Sequence, residues 1–351
     1  MRFHALTVAD VERLTEDSLA VTFAVPEELR EEFEFTPGQH LVMERDGMRR
    51  TYSICVPAGS GVLRVAIRHL PGGAFSTWAH EELRTGDALE VMAPGGSFTV
   101  SLDPAQRKRY AAIAAGSGIT PILSIVATVL EREPLSRVAL VYANRTSATT
   151  MFLEELQDLK DTYPERLELI HVFSREPQAV ELFSGRLDAA RLERIFATLL
   201  PPEEVDDWFL CGPLELIETC RQQLLGHDVA AERIHREIFH AEGATPAPPP
   251  VRESGQASGS ASVVVTLDGR ESTIPVAHDG APILDALLAV RGDAPYACKG
   301  GVCGTCRARV LEGEVRMDFD YALERGEIEQ GYVLACQSHP LSERVVLDFD
   351  Q

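Results

Sequence analysis

Residues 298–306 read Cys-Lys-Gly-Gly-Val-Cys-Gly-Thr-Cys, and a further cysteine follows at position 336. The four thiols therefore have the spacing C-x4-C-x2-C…C, which is a ligand pattern of [2Fe-2S] clusters. The glycines inside this loop permit backbone angles that are closed to other residues, so the chain can wrap a small inorganic core and direct N–H groups at sulfur. The sequence predicts that the metal ligands are Cys298, Cys303, Cys306 and Cys336.

A zinc site is the main alternative for these cysteines. Structural zinc sites usually contain paired C-x2-C knuckles, and only Cys303 and Cys306 have that form. Four unrelated buried cysteines are a second alternative, but chance seldom gives this spacing together with the glycines. Between Lys299 and Arg309 the chain carries basic residues and no acidic ones, which suits a bound group of net negative charge.

Composition limits the possible partners and location. The chain has 351 residues, of which 45% are hydrophobic, so two or three domains are expected. A formal net charge of −21 argues against nucleic acid or an anionic membrane as the main partner. The uncharged stretch Tyr110–Leu130 is interrupted by Gly116–Pro121, which favours a buried strand, loop and helix over a membrane span. The N-terminus has no apolar signal core, and seven cysteines fit a reducing compartment, so we expect a cytoplasmic protein.

The pattern of short strands and helices divides the chain into three predicted domains and a linker. Residues 1–105 contain short β-rich segments between turns, typical of a small antiparallel β-barrel. Residues 106–240 alternate strands and helices, which predicts an α/β nucleotide-binding domain with a parallel sheet. Residues 241–260 are rich in Pro, Gly and Ser and read as a linker. Residues 261–351 have the strand, hairpin, helix, loop and strand order of an α+β, β-grasp ferredoxin-like domain.

Two segments of the predicted barrel carry candidate flavin ligands. Arg50-Thr-Tyr52-Ser53 places a cation, an aromatic ring and a hydroxyl at the start of a predicted strand, Thr51–Cys55. Gly72-Gly-Ala-Phe-Ser-Thr-Trp78 leads a glycine-rich turn into a helix, whose N-terminus is suited to a pyrophosphate. Read alone, the first string is common on surface strands, and the second is equally an ordinary helix cap.

The α/β domain carries a candidate dinucleotide site. Gly116-Ser-Gly-Ile-Thr-Pro121 follows a predicted strand and opens a helix, although it gives G-x-G without the full G-x-G-x-x-G motif. Cys211-Gly-Pro213 ends a later strand, at the carboxyl edge where α/β sheets bind ligands. An inert buried cysteine is the alternative there. Arg145 and Arg175 also follow strands, where each could meet a 2′-phosphate or remain a solvated loop arginine.

Taken in order, these motifs resemble the ferredoxin–NADP reductase superfamily over nearly the whole chain. The C-terminal plant-type ferredoxin segment narrows the resemblance to the reductase components of multicomponent oxygenases. The strings Arg50-Thr-Tyr-Ser-Ile-Cys55, Pro295-Tyr-Ala-Cys298 and Val345–Gln351 are most similar to the reductases of phenylacetyl-CoA epoxidases. The reductases of Rieske-type 3-ketosteroid 9α-hydroxylases share the same domain order and much of each motif.

The resemblance implies roles for individual residues. The residues implied to bind FAD are Arg50, Tyr52, Ser53, Gly73, Phe75, Ser76 and Thr77, with Glu237 and Phe239 bordering the flavin ring. Thr120 would lie beneath the flavin, and the residues implied to bind the nicotinamide coenzyme are Gly116, Gly118, Arg145, Ser174, Arg175, Cys211, Gly212 and Pro213. The reacting centre would comprise Ser53, Thr120, Cys211 and Glu237. Ser174-Arg175-Glu176 matches a string that grips the 2′-phosphate in NADPH-using members, so NADPH is expected, whereas relatives without the arginine leave NADH open.

The expected function follows from the order of cofactors. NAD(P)H gives up two electrons together, a [2Fe-2S] cluster accepts one at a time, and FAD can do both. The resemblance therefore implies an electron-transfer reductase that serves an oxygenase, with a di-iron phenylacetyl-CoA epoxidase as the expected partner. A steroid hydroxylase reductase and a redox-sensing iron–sulfur flavoprotein are the alternatives. Neither a Ser/His/Asp arrangement nor metal-ligand spacing of histidines indicates another chemistry.

Overall fold

The computed structural model describes residues 2–239, 259–323 and 325–351. The chain divides into two compact units. The larger contains His4–Arg45 and Tyr52–Glu242, and the smaller contains Gly243–Gln351 with Met1–Phe3 and Asp46–Thr51. Most of the linker predicted for residues 241–260 lies outside the described residues. Within the described ranges, no helix combines the length and apolarity needed to cross a membrane.

The N-terminal domain is an antiparallel sheet that closes on itself. Its elements are β1 (Phe3–Thr15), β2 (Ser18–Ala24), β3 (His40–Arg45), β4 (Met48–Ser53), β5 (Leu63–Arg68), α1 (Ala74–Glu81) and β6 (Ala88–Met92). The sheet order is β4-β3-β6-β1-β2-β5. Ile54, directly after β4, bridges Val65 of β5 and so links the two outermost strands. The antiparallel flavin-domain barrel predicted from the sequence is confirmed.

Turn chemistry explains where β4 differs from the prediction. The predicted strand Thr51–Cys55 is observed over Met48–Ser53, because the tight turn lies at Asp46 and Gly47, which have φ of 51° and 78°. Two consecutive positive φ angles give a two-residue hairpin turn between β3 and β4. The strand therefore begins directly after Gly47, and Ser53 becomes its last residue, buried at the barrel end.

The second domain is a parallel five-stranded sheet covered by helices. Its strands are β7 (Arg109–Ala115), β8 (Arg137–Asn144), β9 (Leu167–Phe173), β10 (Asp207–Gly212) and β11 (Ile234–Ile238), and its helices are α2 (Ile119–Arg132), α3 (Leu153–Thr162), α4 (Ala189–Thr198) and α5 (Leu214–Gly226). The order β11-β10-β7-β8-β9 is parallel throughout. In α2, all residues from Ile119 to Leu130 are buried. The uncharged stretch from Tyr110 is therefore the central strand and a core helix.

Helix α3 begins later than the sequence pattern suggests. The sequence pattern predicts a helix over Thr149–Tyr163, whereas the observed helix starts at Leu153, because Ser147–Thr149 forms a separate 3-10 turn capped by Thr146. Phe152 then takes a left-handed conformation, with φ of 57°, and its ring is buried. A polar cap and a buried aromatic anchor thus override local helix propensity.

The C-terminal domain is a five-stranded mixed sheet with one packed helix. Its elements are β12 (Ser260–Leu267), β13 (Arg270–Ala277), α6 (Ile283–Leu288), β14 (Arg307–Glu312), β15 (Val315–Met317), α7 (Arg325–Glu329), β16 (Tyr332–Leu334), β17 (Ser338–Pro340) and β18 (Arg344–Asp348). The order is β13-β12-β18-β14-β16, with β12 and β18 parallel. Asp268 and Gly269, both at positive φ, form the hairpin turn that an Asp-Gly pair between two β-rich segments predicts. The cysteine loop runs between α6 and β14, and β16 leads into Cys336.

Candidate cofactor sites

A buried carboxylate lies at the junction of the first two domains. Glu237 is on β11, in register with Cys211 of the neighbouring parallel strand β10. Ser53 Oγ, from the barrel, donates a hydrogen bond of 3.1 Å to Glu237 Oε2. The Cys211 thiol lies 3.8 Å from the same oxygen. Three of the four residues predicted at the reacting centre are therefore brought together.

Burial sets the protonation of this group. Loss of solvent raises the pKa of Glu237 to about 7, against 4.5 for an exposed glutamate, although the Ser53 hydrogen bond opposes the shift. Burial also raises the pKa of the Cys211 thiol well above its ordinary value, and the nearby Glu237 adds to this effect. Cys211 is thus a neutral thiol near pH 7, whereas Glu237 exchanges a proton in that range.

His40 is a member of this cluster that the sequence did not reveal. It begins β3, and its Nδ1 lies 3.9 Å from Glu237 Oε1, with only 6% of the side chain exposed. Burial lowers the pKa of His40 to about 4, so the ring is neutral at pH 7. A Cβ added at Gly96 would lie 2.9 Å from the His40 ring, so Gly96 makes room for the imidazole. The local sequence has no signal for this contact, because barrel closure creates it.

The start of α2 packs directly on the end of β10. A Cβ at Gly118 would lie 2.3 Å from the carbonyl oxygen of Cys211, so only glycine fits there. Thr120, predicted beneath the flavin, is buried and donates to Ser117 O at 3.0 Å. A Cβ at Gly116 would lie 2.8 Å from the Arg68 guanidinium, which binds Asp17 at 2.8 and 3.0 Å. Arg68 is a second residue near the coenzyme loop that sequence reasoning missed.

The remaining residues of this edge come from the end of β10 and the end of β11. Gly212 closes β10, and Pro213 is the N-cap of α5. The Phe239 amide donates to Gly212 O at 2.9 Å, and the Phe239 ring packs on the domain core. These contacts place Phe239 beside the Cys211–Pro213 segment.

The glycine-rich turn at Gly73 leads into α1 as predicted. Ser76 Oγ donates to Gly73 O at 3.2 Å and accepts from the Leu70 amide at 3.2 Å. Phe75 is fully buried, with its ring 5.7 Å from that of Tyr52. The first-turn N–H groups of a helix lack intrahelical acceptors and are suited to a phosphate. This turn therefore offers backbone donors, while Ser76 and Phe75 fix its shape.

The carboxyl ends of β8 and β9 present the candidate 2′-phosphate residues. The Arg175 amide donates to Arg145 O at 2.8 Å, and the Ser174 amide donates to Asn144 O at 2.9 Å, which joins the two loops. Glu176 accepts bonds of 2.7 and 2.9 Å from Ser147, and these bonds lower the pKa of its carboxyl. Arg145 and Arg175 are exposed on these loops, as a site for an entering anion requires.

The four cysteines approach each other in the C-terminal domain. The Cys303 thiol lowers the pKa of Cys298, and the Cys306 thiol lowers that of Cys336, because each pair is close enough to share a hydrogen bond. In the described part of the chain, no three His, Cys, Asp or Glu side chains converge as a single-ion site requires. Two pairs of thiols, Cys298 with Cys303 and Cys306 with Cys336, are thus within hydrogen-bonding reach, and four cysteine ligands suit a two-iron cluster.

The backbone of the cysteine loop is directed at sulfur. The Gly300 amide lies 3.3 Å from Cys298 Sγ, and Lys299, Gly301 and Gly304 all have positive φ. Lys299 Nζ pairs with Asp285 at 2.8 Å, and Arg307 pairs with Glu327. The donor set and the inward N–H groups fit a [2Fe-2S] cluster, while the neighbouring cations are balanced within the domain.

Three family models match consecutive parts of the chain. The oxidoreductase FAD-binding domain matches residues 5–100, and the oxidoreductase NAD-binding domain matches residues 112–222. The 2Fe-2S iron-sulfur cluster binding domain matches residues 265–341. The chain is 45% identical over 352 residues to a subunit of 1,2-phenylacetyl-CoA epoxidase from Escherichia coli (strain K12), covering 99% of this chain and 98% of that protein.

The chain belongs to the oxygenase reductases of the ferredoxin–NADP reductase superfamily. It is 35% identical to the ferredoxin reductase component of 3-ketosteroid-9-alpha-monooxygenase from Rhodococcus rhodochrous, over 98% of this chain and 96% of that protein. Among solved structures, phthalate dioxygenase reductase shares the fold, with a TM-score of 0.62 and 24% identity over 99% of this chain and 98% of that one. An intact type IV self-sufficient cytochrome P450 monooxygenase matches with a TM-score of 0.71 and 26% identity, over 98% of this chain and 41% of that one.

Membership of this reductase family establishes the cofactors and the reaction class. The protein is an oxidoreductase that uses NAD(P)H, FAD and a [2Fe-2S] cluster, and its relatives are the reductase components of oxygenases. The predicted fold class, cofactors and general function are therefore confirmed. The residue roles, the choice between NADPH and NADH, the oxygenase partner and the cytoplasmic location stay predictions.

Proposed function

We propose that this reductase carries electrons from NADPH to a di-iron oxygenase that epoxidises phenylacetyl-CoA. The observation that carries the proposal is the 45% identity to the Escherichia coli phenylacetyl-CoA epoxidase component over 99% of this chain, against 35% to the 3-ketosteroid monooxygenase reductase over 98%. Both relatives match across all three domains, so the difference reflects the whole chain.

The flavin is proposed to lie between the barrel and the α/β domain. FAD, when bound, takes two electrons together from the coenzyme and passes them on singly to the [2Fe-2S] cluster. Arg50 and Tyr52, on β4, would hold its phosphate and ring, and the α1 N-terminus at Gly73–Thr77 would hold the pyrophosphate. Glu237, Cys211 and Ser53 would then border the reacting edge.

Oxidation of one NADPH releases one proton for every two electrons delivered, and Glu237 is suited to accept it. Its pKa of about 7 allows both protonation states at working pH. Ser53 Oγ, which donates to Glu237 Oε2 at 3.1 Å, can pass a proton between the flavin edge and the carboxylate. The neutral Cys211 thiol fills the space beside the nicotinamide and excludes water from it.

The coenzyme preference is assigned to the loops after β8 and β9. Arg175 and Arg145 follow these strands and are exposed, and backbone hydrogen bonds hold their loops together. A guanidinium binds a 2′-phosphate by charge-assisted hydrogen bonds that NADH does not offer. This arrangement supports NADPH, rather than NADH, as the preferred coenzyme.

Reconstitution tests the proposed partner. The purified protein, NADPH, the oxygenase subunits of a phenylacetyl-CoA epoxidase and phenylacetyl-CoA should give the ring epoxide, detected by mass spectrometry. A parallel reaction uses a 3-ketosteroid 9α-hydroxylase oxygenase and its steroid. Product only in the steroid reaction would transfer the assignment to that hydroxylase. Product in neither reaction, with slow reduction of cytochrome c, would favour a redox sensor.

A further inference from the structure

Gln337 connects the cysteine loop to the fourth cysteine. It directly follows Cys336, and it is buried, with 7% of its surface exposed. Its side-chain Nε2 donates to Lys299 O and to Cys336 O, each at 2.9 Å. The same nitrogen lies 3.4 Å from Cys336 Sγ, so the N–H that faces Cys336 is shared between its carbonyl oxygen and its sulfur. One amide group therefore contacts both chain segments that supply the thiols.

The packing around Gln337 fixes its amide in this position. A Cβ at Gly301, which has φ of 74°, would lie 3.0 Å from Gln337 Cγ, so the glycine makes room for the side chain. The Gln337 amide N–H donates to Leu334 O at 2.8 Å, and the Gln337 carbonyl accepts from the Asp318 amide at 2.9 Å. The backbone bonds fix the main chain at Gln337, and rotation of the side chain would break its bonds to Lys299 O and Cys336 O.

Such a donor acts differently on the two oxidation states of a cluster. Reduction adds one electron, and the sulfur ligands then carry more negative charge. A hydrogen bond to a ligand sulfur stabilises that extra charge, and hydrogen bonds of this kind set the potentials of iron–sulfur centres. The backbone donates to sulfur at Gly300, whereas Gln337 is a side chain that a substitution can remove.

We propose that Gln337 is a positioning residue that holds the Lys299 carbonyl and, by donating to Cys336 sulfur, raises the reduction potential of the cluster. The inference rests on the proposed ligation by Cys336 and not on the identity of the oxygenase. The step concerned is the transfer of one electron from the reduced flavin to the oxidised cluster, with no bond formed or broken at Gln337. Its function is to make that transfer favourable.

The test substitutes Gln337→Met, which keeps an unbranched side chain of similar length and removes the donor. Gln330→Met, on the exposed surface of the same domain, is the matched control. Loss of the bond should shift the equilibrium between flavin and cluster about tenfold toward the oxidised cluster, which equals about 59 mV for a one-electron couple. A redox titration followed by EPR measures the midpoint, and iron analysis checks that the cluster is retained. An unchanged midpoint with full iron content would overturn the proposal.

A second measurement decides the question if Q337M loses the cluster. Native protein labelled with ¹⁵N in the glutamine side-chain amide is reduced and studied by pulsed EPR. We expect a ¹⁵N coupling to the cluster in native protein and in Q330M. Absence of that coupling in a protein with two irons would overturn the role of Gln337. A native protein without iron and labile sulfide would instead overturn the ligation by cysteine.

Discussion

Ser53 Oγ donates a 3.1 Å hydrogen bond to Glu237 Oε2, although the two residues lie 184 positions apart in the chain. Ser53 ends a barrel strand and Glu237 lies on the edge strand of the parallel sheet, so the bond joins the two domains. Glu237 thus accepts a hydrogen bond from a hydroxyl at the proposed flavin edge, and because burial raises its pKa to about 7, the carboxylate can take up a proton near neutral pH.

Replacement of Glu237 should change the pH dependence of the reductase. In wild type, NADPH-dependent ferricyanide reduction should show an inflection near the Glu237 pKa of about 7. Glu237→Gln should lower kcat by roughly 10²–10⁴ and remove the inflection, because the proton acceptor is lost. Glu218→Gln is the control, because Glu218 lies in α5 and pairs with Arg236. This variant should keep the wild-type kcat and the inflection near pH 7. A retained inflection in E237Q would show that another group titrates.

The same substitution should alter the pH dependence of stability. The folded pKa of Glu237 is raised from 4.5 to about 7, so the folded state holds a proton that the unfolded state releases. The contribution of Glu237 to stability therefore falls as pH rises from 4.5 to about 7 and is constant above that. Relative to wild type, the free energy of unfolding of E237Q should rise between pH 5 and pH 8 by an amount on the order of a few kcal/mol. Urea unfolding at the two pH values measures this; parallel curves would contradict the assignment.

Arg175→Ala should separate the two coenzymes. A lost charge-assisted contact to phosphate costs about 1.5–3 kcal/mol, or roughly 10- to 100-fold in kcat/KM for NADPH. NADH use should hardly change, because NADH has no 2′-phosphate. Arg137→Ala, at the opposite end of β8, is the matched control and should affect neither coenzyme. Equal losses for both coenzymes in R175A would mean that Arg175 is structural.

Gly118→Ala should disturb the junction of α2 and β10. The added Cβ would lie 2.3 Å from the Cys211 carbonyl, and the backbone cannot yield without displacing the helix. We expect a loss of roughly 1–3 kcal/mol in the free energy of unfolding, together with weaker coenzyme binding. The Cβ added by Gly226→Ala, at the end of α5, would have no atom within 4 Å, so this variant should leave the free energy of unfolding almost unchanged. Thermal unfolding of both variants tests this contrast, and equal midpoints would refute it.

Local sequence predicted most of the architecture. The β-rich segment Leu63–Arg68 and the apolar segment Leu167–Phe173 predict strands with the bounds that are observed, and Asp268-Gly269 predicts the observed hairpin turn. Apolar periodicity and positive-φ turn residues are local properties, so they can be read without tertiary knowledge. The local pattern does not predict the thirteen-residue strand β1 (Phe3–Thr15), because polar residues on its exposed face mask the alternation.

The candidate sites also contain some residues that local sequence predicts and others that it does not. Cysteine spacing predicted the cluster, since its chemistry needs ligands at fixed short intervals. The contact of His40 with Glu237 and that of Gln337 with Cys336 sulfur had no such signal. Each depends on which strands become neighbours, and a lone buried His or Gln looks the same in sequence whether it packs or binds. Only the folded chain shows those partners.

In the proposed reductase, electrons enter at the flavin and leave singly through the cluster. Cys306→Ala in the full chain tests this route, with Cys220→Ala, a buried cysteine of α5, as the control. We predict that C306A loses its iron but retains FAD. It should reduce ferricyanide with NADPH at nearly the wild-type rate and scarcely reduce cytochrome c, whereas C220A should reduce both acceptors. Full cytochrome c reduction by an iron-free C306A protein would show that electrons do not need the cluster to leave the protein.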